Sequence, residues 1–206
     1  MGLASRLAGQ LARPRGLAGR LIGNAMDVAN RRPTRIALDL LDAQPGERVL
    51  DVGCGTGATL SMLLGRTAVE AWGLDPSHTM IAAARKRLRG RARLLEASIE
   101  SLDLAGGMFD AALALNVLYF EDWDAAMVRR MHRLLRPGGR LVAYVTSRAT
   151  MENWAFARAG THRLFDAGEL AQALAAGGFA PGQIQVHQQP ITSSVQGLVA
   201  LAVKQG

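Results

Sequence analysis

A chain of 206 residues with 49% hydrophobic content can bury one sizeable core, so a single folded domain is the default. No apolar run approaches the roughly 20 residues that span a bilayer, and the lone cysteine, Cys54, excludes an internal disulfide and fits a reducing cytoplasm. The net charge of +7 raises the question of nucleic acid, but the arginines at 85–93 and 129–136 fall near the carboxyl ends of predicted helices, where cations suit the helix dipole and face solvent.

Residues 1–35 are rich in Leu and Arg, with Leu3, Leu7 and Leu11 on one helical face. Pro14 and Gly16 interrupt the pattern, which predicts two short amphipathic helices. Arginines at 6, 13, 15 and 20 break up the apolar stretch that an export signal needs, so a cytoplasmic protein is expected. The arm reads as a lid over a binding site, as a weak membrane contact through its basic amphipathic pattern, or as a frayed tail. A helix over 34–43 leads into a first strand at 48–52, introduced by the turn residues Pro45 and Gly46.

After Val52 the pattern changes to Gly53-Cys54-Gly55-Thr56-Gly57, and helical spacing resumes from Ala58 to Leu64. Strand, glycine loop and helix form a nucleotide-site layout, because bare glycines allow a sharp turn and close backbone approach to a ligand. A Walker phosphate loop requires Lys before Ser or Thr, and Ala58-Thr59 stands there instead. Ala58 also occupies the place of the third glycine of the dinucleotide fingerprint, which disfavours NAD. The second strand, 69–74, ends in Asp75, at the spacing where an acid accepts hydrogen bonds from two ribose hydroxyls. Asp75 also precedes Pro76-Ser77 at a helix start, so a capping role is its alternative.

Helices are then predicted over 77–88, 122–135 and 167–176, with a short turn at 99–102. Strands are predicted near 92–97, 109–115, 139–146, 183–189 and 196–203. This alternation favours an α/β fold with a parallel core.

The stretches "VLDVGCGTG", "GLDPS", "FDAALALNVLYF" and "RLLRPGGRLVAY" together resemble the successive motifs of class I S-adenosylmethionine-dependent methyltransferases of the small-molecule, type 11-like kind. The resemblance implies a Rossmann-like, seven-stranded, mostly parallel sheet with an antiparallel last strand and helices on both faces. It implies an arm or lid over 1–35 and an S-adenosylmethionine-binding domain over 36–206. The cofactor, released as S-adenosylhomocysteine, would lie across the carboxyl ends of the first strands. In this reading Gly53, Cys54 and Gly55 pass their backbone close to its methionyl and ribose parts, and Asp51 orients the loop or the ammonium. Asp75 binds the ribose, while Pro76 and Met80 pack on the adenine. Ser98 stands where relatives carry an aspartate and contacts the adenine through its hydroxyl or carbonyl, Ile99 donates its N–H to the ring, and Asn116 faces the methionyl moiety.

His162, in the long connection after the fifth strand, and Tyr119, just past the fourth, are the candidate catalytic residues. Trp154 and Phe156 are candidate walls of an apolar acceptor pocket. His78, His132 and His187 read as structural or exposed, and no ligand spacing suggests a metal. Base-methylating enzymes of nucleic acids often carry a proline-rich tetrad where this chain has Asn116-Val117-Leu118-Tyr119, so a small-molecule acceptor is expected over nucleic acid. Methylation of RNA or protein is the alternative activity, and a non-catalytic cofactor-binding regulatory or membrane-associated protein is the alternative of another class. The sequence does not specify an oligomeric state.

Overall fold

Val49, Leu50 and Val52 make Arg48–Val52 a strand that is buried on both faces, as a central parallel strand must be. The computed structural model describes residues 26–120, 125–154, 157 and 163–206. In chain order its elements are α1 (Arg31–Leu41), β1 (Arg48–Val52), α2 (Ala58–Leu64), β2 (Glu70–Leu74), α3 (His78–Leu88), β3 (Arg93–Leu95) and β4 (Phe109–Leu115). There follow α4 (Ala126–Leu134), β5 (Leu135–Thr146), α5 (Arg148–Met151), α6 (Ala167–Ala176), β6 (Ile184–Pro190) and β7 (Gln196–Val203).

The seven strands form one sheet in the order β3-β2-β1-β4-β5-β7-β6. Strands β1 to β5 pair in parallel, and β7 runs antiparallel to both β5 and β6. The mostly parallel sheet with an antiparallel last strand is therefore as expected. The chain moves outward from β1 to β2 and β3, then crosses back to β4 on the other side of β1. Open sheets of this kind have a crevice at the carboxyl ends of the strands where the order reverses, here between β1 and β4.

Alternate residues of the strands feed two apolar layers. Val49, Ala111, Leu113 and Val142 pack against α1, α2 and α3, whereas Leu50, Ala112, Leu141 and Ala143 pack against α4 and α6. Both faces are covered, as the near-continuous apolar character of the strands requires.

Two elements differ from the sequence pattern. Helix α1 begins at Arg31, three residues before the expected start, because Pro33 is tolerated in a first turn that needs no N–H donor; the helix ends where Asp42 turns left-handed. The junction expected at residue 35 thus lies inside a continuous helix. Strand β5 begins at Leu135, with the register jumping from Phe109↔Leu135 to Ala111↔Arg140, so that Arg136-Pro137-Gly138-Gly139 is accommodated as an irregularity. The predicted arm helices lie outside the described residues. Among the described residues no helix is long and apolar enough to cross a membrane.

Arg140, near the start of β5, pins α1 to the sheet. Its Nε donates to the Leu41 carbonyl at 2.6 Å, one Nη donates to the Asp42 carbonyl at 3.0 Å, and the guanidinium pairs with Glu47 at 2.7 Å. A cation on the last carbonyls of a helix satisfies orphan acceptors and complements the dipole.

Gly73 lies opposite Asp51 in the β1–β2 register, beneath the glycine loop. A Cβ there would stand 2.7 Å from Leu60 Cδ1, 2.9 Å from Cys54 Sγ and 3.0 Å from Leu94 Cδ2. Gly73→Ala should therefore destabilise the protein by about 1–3 kcal/mol. The measurement is a urea titration: a lower midpoint at unchanged slope is expected, and an unchanged midpoint would mean that the layer yields to the methyl group.

Candidate cofactor site

The loops that follow β1, β2 and β4 meet at the crevice. Gly53, Gly55 and Gly57 all take left-handed backbone, with φ of 70°, 52° and 76°. A Cβ on Gly53 would stand 2.2 Å from Val117 Cγ1, so only glycine lets the β1 loop pass beneath the β4 loop. The Cys54 N–H donates to the Leu74 carbonyl at 2.9 Å, which extends the β1–β2 ladder into the loop.

The three loops, the start of α3 and residues 26–34 enclose a cavity of about 680 Å³, and all ten cofactor-binding candidates, from Asp51 to Asn116, line it. Its size suits a nucleoside-sized ligand with room for a small second molecule.

Asp75 is the brace of this arrangement. Its Oδ2 accepts from the Gly55 N–H at 3.0 Å, and its Oδ1 accepts from the Ser77 N–H at 2.8 Å. The cap of α3 itself is Ser77, whose hydroxyl accepts from the Met80 N–H. Each carboxylate oxygen keeps a second lone-pair direction for an incoming hydroxyl. Burial raises the Asp75 pKa, and the two N–H donors oppose that shift.

Asp51 is 2% exposed, and its Oδ2 has no hydrogen-bond partner. Burial, and then the charge of Asp75, pushes its pKa up to about 8. A buried orphan carboxylate oxygen on a cavity wall is complementary to a cationic group such as the ammonium of S-adenosylmethionine. Burial also raises the Cys54 thiol, followed by repulsion from Asp51 and Asp75, so this cysteine is a small packed residue and no nucleophile.

Asn116 closes the β4 side in a left-handed conformation, φ 60°. Its Nδ2 donates to Asn30 Oδ1 at 3.1 Å, and its Oδ1 accepts from the Tyr119 hydroxyl at 3.1 Å. Its side chain thus joins the cavity wall to its surroundings.

Tyr119 is not among the residues that line the cavity. It is buried behind the wall, it accepts from the Thr146 N–H, and burial raises its pKa, so its hydroxyl positions Asn116. Ser98 lines the cavity, but its hydroxyl is engaged within its own turn, donating to Ser101 Oγ at 3.2 Å and accepting from the Ser101 N–H at 3.4 Å. A hydroxyl contact from Ser98 to an adenine is therefore not preformed. His162 and Phe156 lie outside the described residues, and Trp154 packs against the core. His78 pairs with Glu96 at the surface, and His132 packs edge-on against Phe179. Among the described residues no group of three or more His, Cys, Asp or Glu side chains is placed to hold a metal ion.

Asp27, Asn30, Thr56 and Arg87 are among the cavity residues that were not foreseen. Arg87 belongs to the arginine run read as solvent-facing, yet its Nη1 donates to the Thr56 carbonyl at 3.1 Å. A signal for it exists, since Met80, Ala84, Arg87 and Leu88 share one helical stripe. Asp27 and Asn30 reach the site across 29 and 86 residues of chain, a distance that no local pattern encodes.

Residues 49–139 match the methyltransferase domain family. The methyltransferase GfsG of Streptomyces halstedii is 36% identical over 139 residues, which are 63% of this chain and 49% of that protein. An O-methyltransferase of Pyrenophora dematioidea is 34% identical over 122 residues, 56% of this chain and 45% of the relative. The chain spans about half the length of these curated relatives. Among solved structures, phosphoethanolamine N-methyltransferase 2 of Haemonchus contortus, in complex with phosphomonomethylethanolamine and S-adenosylhomocysteine, superposes with a TM-score of 0.72 at 16% identity, over 85% of this chain and 53% of that one. The glycine loop, the strand-terminal acids and the sheet order agree with these matches: residues 49–139 are a methyltransferase domain of the class I S-adenosylmethionine-dependent kind.

Proposed function

We propose that the protein transfers the methyl group of S-adenosylmethionine to an O, N or C atom of a small, partly apolar molecule. The observation that carries this reading is where exposed apolar surface lies. Among the described residues the exposed large hydrophobic side chains are Val28 and Phe120, and both line the cavity. Exposed apolar surface gathered at a polar-rimmed cavity marks a site for an apolar partner.

S-adenosylmethionine supplies an already activated methyl group on a sulfonium, so the chain's task is chiefly to position the acceptor and exclude water. In this reading Asp51 faces the ammonium, Asp75 takes the ribose hydroxyls, Pro76 and Met80 pack on the adenine, and the Ile99 N–H donates to its ring. Val117 and Phe120 shield the acceptor side. Residues 1–35 contribute a lid.

Calorimetric titration with S-adenosylmethionine, S-adenosylhomocysteine and NAD tests the cofactor half. Binding of the first two and not of NAD is expected, and the reverse would overturn the reading. Asp75→Ala should weaken S-adenosylhomocysteine binding by about tenfold or more, the loss of one to two hydrogen bonds, with the fold intact by circular dichroism.

Asp51→Asn should separate stability from binding. A carboxyl whose pKa rises from 3.8 to about 8 on folding holds a proton that the unfolded chain releases, so its contribution to stability falls as pH rises through that window. The neutral amide escapes this penalty. The variant should therefore melt higher than the parent by on the order of 3 °C or more near neutral pH, with the gain vanishing towards pH 4. It should also bind S-adenosylhomocysteine more weakly and lose the parent's rise in affinity between about pH 6 and about pH 8, where the ammonium draws Asp51 into its charged form. A lower melting point with unchanged affinity would contradict the role given to Asp51.

For the acceptor half, screening hydroxylated aromatic and polar small molecules for S-adenosylhomocysteine release should favour the apolar ones. Phe120→Ala should then lower kcat/KM for the best acceptor by about tenfold while cofactor affinity stays within about twofold. Equal turnover of polar acceptors by both proteins would count against an apolar pocket.

A further inference from the structure

Helix α4 lines a second cavity, of about 420 Å³, whose walls are Ala126, Arg129, Arg130, His132, Arg133 and Lys204. None of these residues lines the cofactor cavity. Ala126, Arg129, Arg130 and Arg133 recur at the spacing of one helical stripe, and Lys204, just beyond β7, joins them from the sheet. Among the described residues no carboxylate lines this cavity. Elsewhere on the sheet the chain matches arginine with acid, as in Arg48 with Glu70, Arg136 with Asp110 and Arg140 with Glu47.

The groups in the cavity are set up to receive negative charge. Lys204 Nζ donates to the His132 carbonyl at 3.0 Å and to the Leu135 carbonyl at 2.8 Å, which offsets the negative pole of α4 that would otherwise repel an anion there. Arg130 Nη2 donates to the Leu102 carbonyl and so fixes its guanidinium, while Arg130 Nε is buried with no hydrogen-bond partner among the described residues. A buried N–H without an acceptor costs free energy that an anion would recover. Arg133 is exposed, and its guanidinium has no acceptor among the described residues. The His132 ring packs edge-on against Phe179 at 4.8 Å, and burial, followed by the charge of Lys204, lowers its pKa.

We propose that this cavity is a binding site for a short phosphate chain, either an inorganic oligophosphate or the same group carried on a nucleotide, held by Arg130 and Arg133. Guanidinium groups suit phosphate oxygens because they present paired N–H donors and keep their charge. The stripe from Ala126 to Arg133 rises by about 10 Å, room for two or three linked phosphates and too short for an extended tract of nucleic-acid backbone. The proposal rests neither on the cofactor nor on the acceptor, since the two cavities share no lining residue.

Calorimetric titrations of the full chain with orthophosphate, triphosphate and uridine triphosphate, free of divalent cations and in about 0.15 M salt, test the site. Triphosphate should bind at least about tenfold more tightly than orthophosphate, because it meets several cations at once. Tighter binding of uridine triphosphate would assign the nucleotide as the source of the phosphate chain, and equal or weaker binding the inorganic ion; both uphold the site. Arg133→Gln and Arg130→Gln should each weaken triphosphate binding by about fivefold or more. Arg89→Gln, at the carboxyl-terminal cap of α3, should change it by less than about twofold. The pKa of His132, followed by NMR, should rise when triphosphate is bound. Should Arg130→Gln not fold, Arg133→Gln, at an exposed position, carries the test. Absence of triphosphate binding, or equal losses in Arg133→Gln and Arg89→Gln, would overturn the proposal, the second by showing attraction to the net charge of +7 alone. An RNA of about ten nucleotides that binds far more tightly than triphosphate, and is weakened by Arg89→Gln as well, would overturn it in favour of a nucleic-acid surface.

Discussion

Two carboxylates at the ends of neighbouring strands, Asp51 on β1 and Asp75 just beyond β2, face one cavity, and burial followed by the charge of Asp75 raises the pKa of Asp51. The rest of the site is arranged around that constraint. Asp75 is made tolerable by the N–H groups of Gly55 and Ser77, and accepting from both fixes the glycine loop and the start of α3 in one stroke. Asp51 has no such relief on its Oδ2 and holds its proton to about pH 8. The two are coupled, since each charge raises the other's cost, and a cationic ligand relieves both.

Such a site sacrifices stability for function in a definable place. An apolar or amide side chain at position 51 would suit the empty fold better, because the orphan oxygen gains nothing from its surroundings. What the carboxylate offers is selectivity: a neutral or anionic ligand end leaves it unpaired, whereas an ammonium completes it. Burial, followed by repulsion from Asp51 and Asp75, raises the thiol of Cys54. The glycines serve this geometry as well, since the Val117 side chain occupies the space where a Cβ of Gly53 would point.

How much of this was legible in the sequence depended on how locally it is encoded. The β1 strand, glycine loop and α2 occupy a short continuous stretch, and branched apolar residues followed by glycines admit few other structures. Asp75 was placed by spacing alone, and the ten cavity-lining candidates, Asp75 among them, fall in four such local units, at the ends of β1, β2, β3 and β4. Arg87 was misread because a run of cations near a helix end resembles a solvated face, and only the stripe through Met80 and Ala84 sets it apart. The bond between the Tyr119 hydroxyl and the Thr146 backbone is also absent from any local pattern, since proximity to β4 in sequence gives no sign of the next strand. The long β5 irregularity at Arg136–Gly139 likewise depends on pairing with Phe109 and Ala111, which sequence periodicity does not contain.

The division between legible and illegible follows the division of labour in the site. Consecutive strand-loop-helix units build the cofactor half, so each contact there is fixed by a few neighbouring residues and by the register of adjacent parallel strands. The facing side of the cavity is assembled from residues 26–34, the turn at 116–120 and Met127, segments that meet only through tertiary packing. A substitution there alters the shape offered to an acceptor without disturbing the ladder that carries Asp51 and Asp75. The two halves share one joint, Asn116, whose amide links Asn30 to Tyr119 and through it to the end of β5. Any change in how residues 26–30 sit is therefore felt through Asn30 and Asn116 at the carboxyl end of β4 and, through Tyr119, at the end of β5.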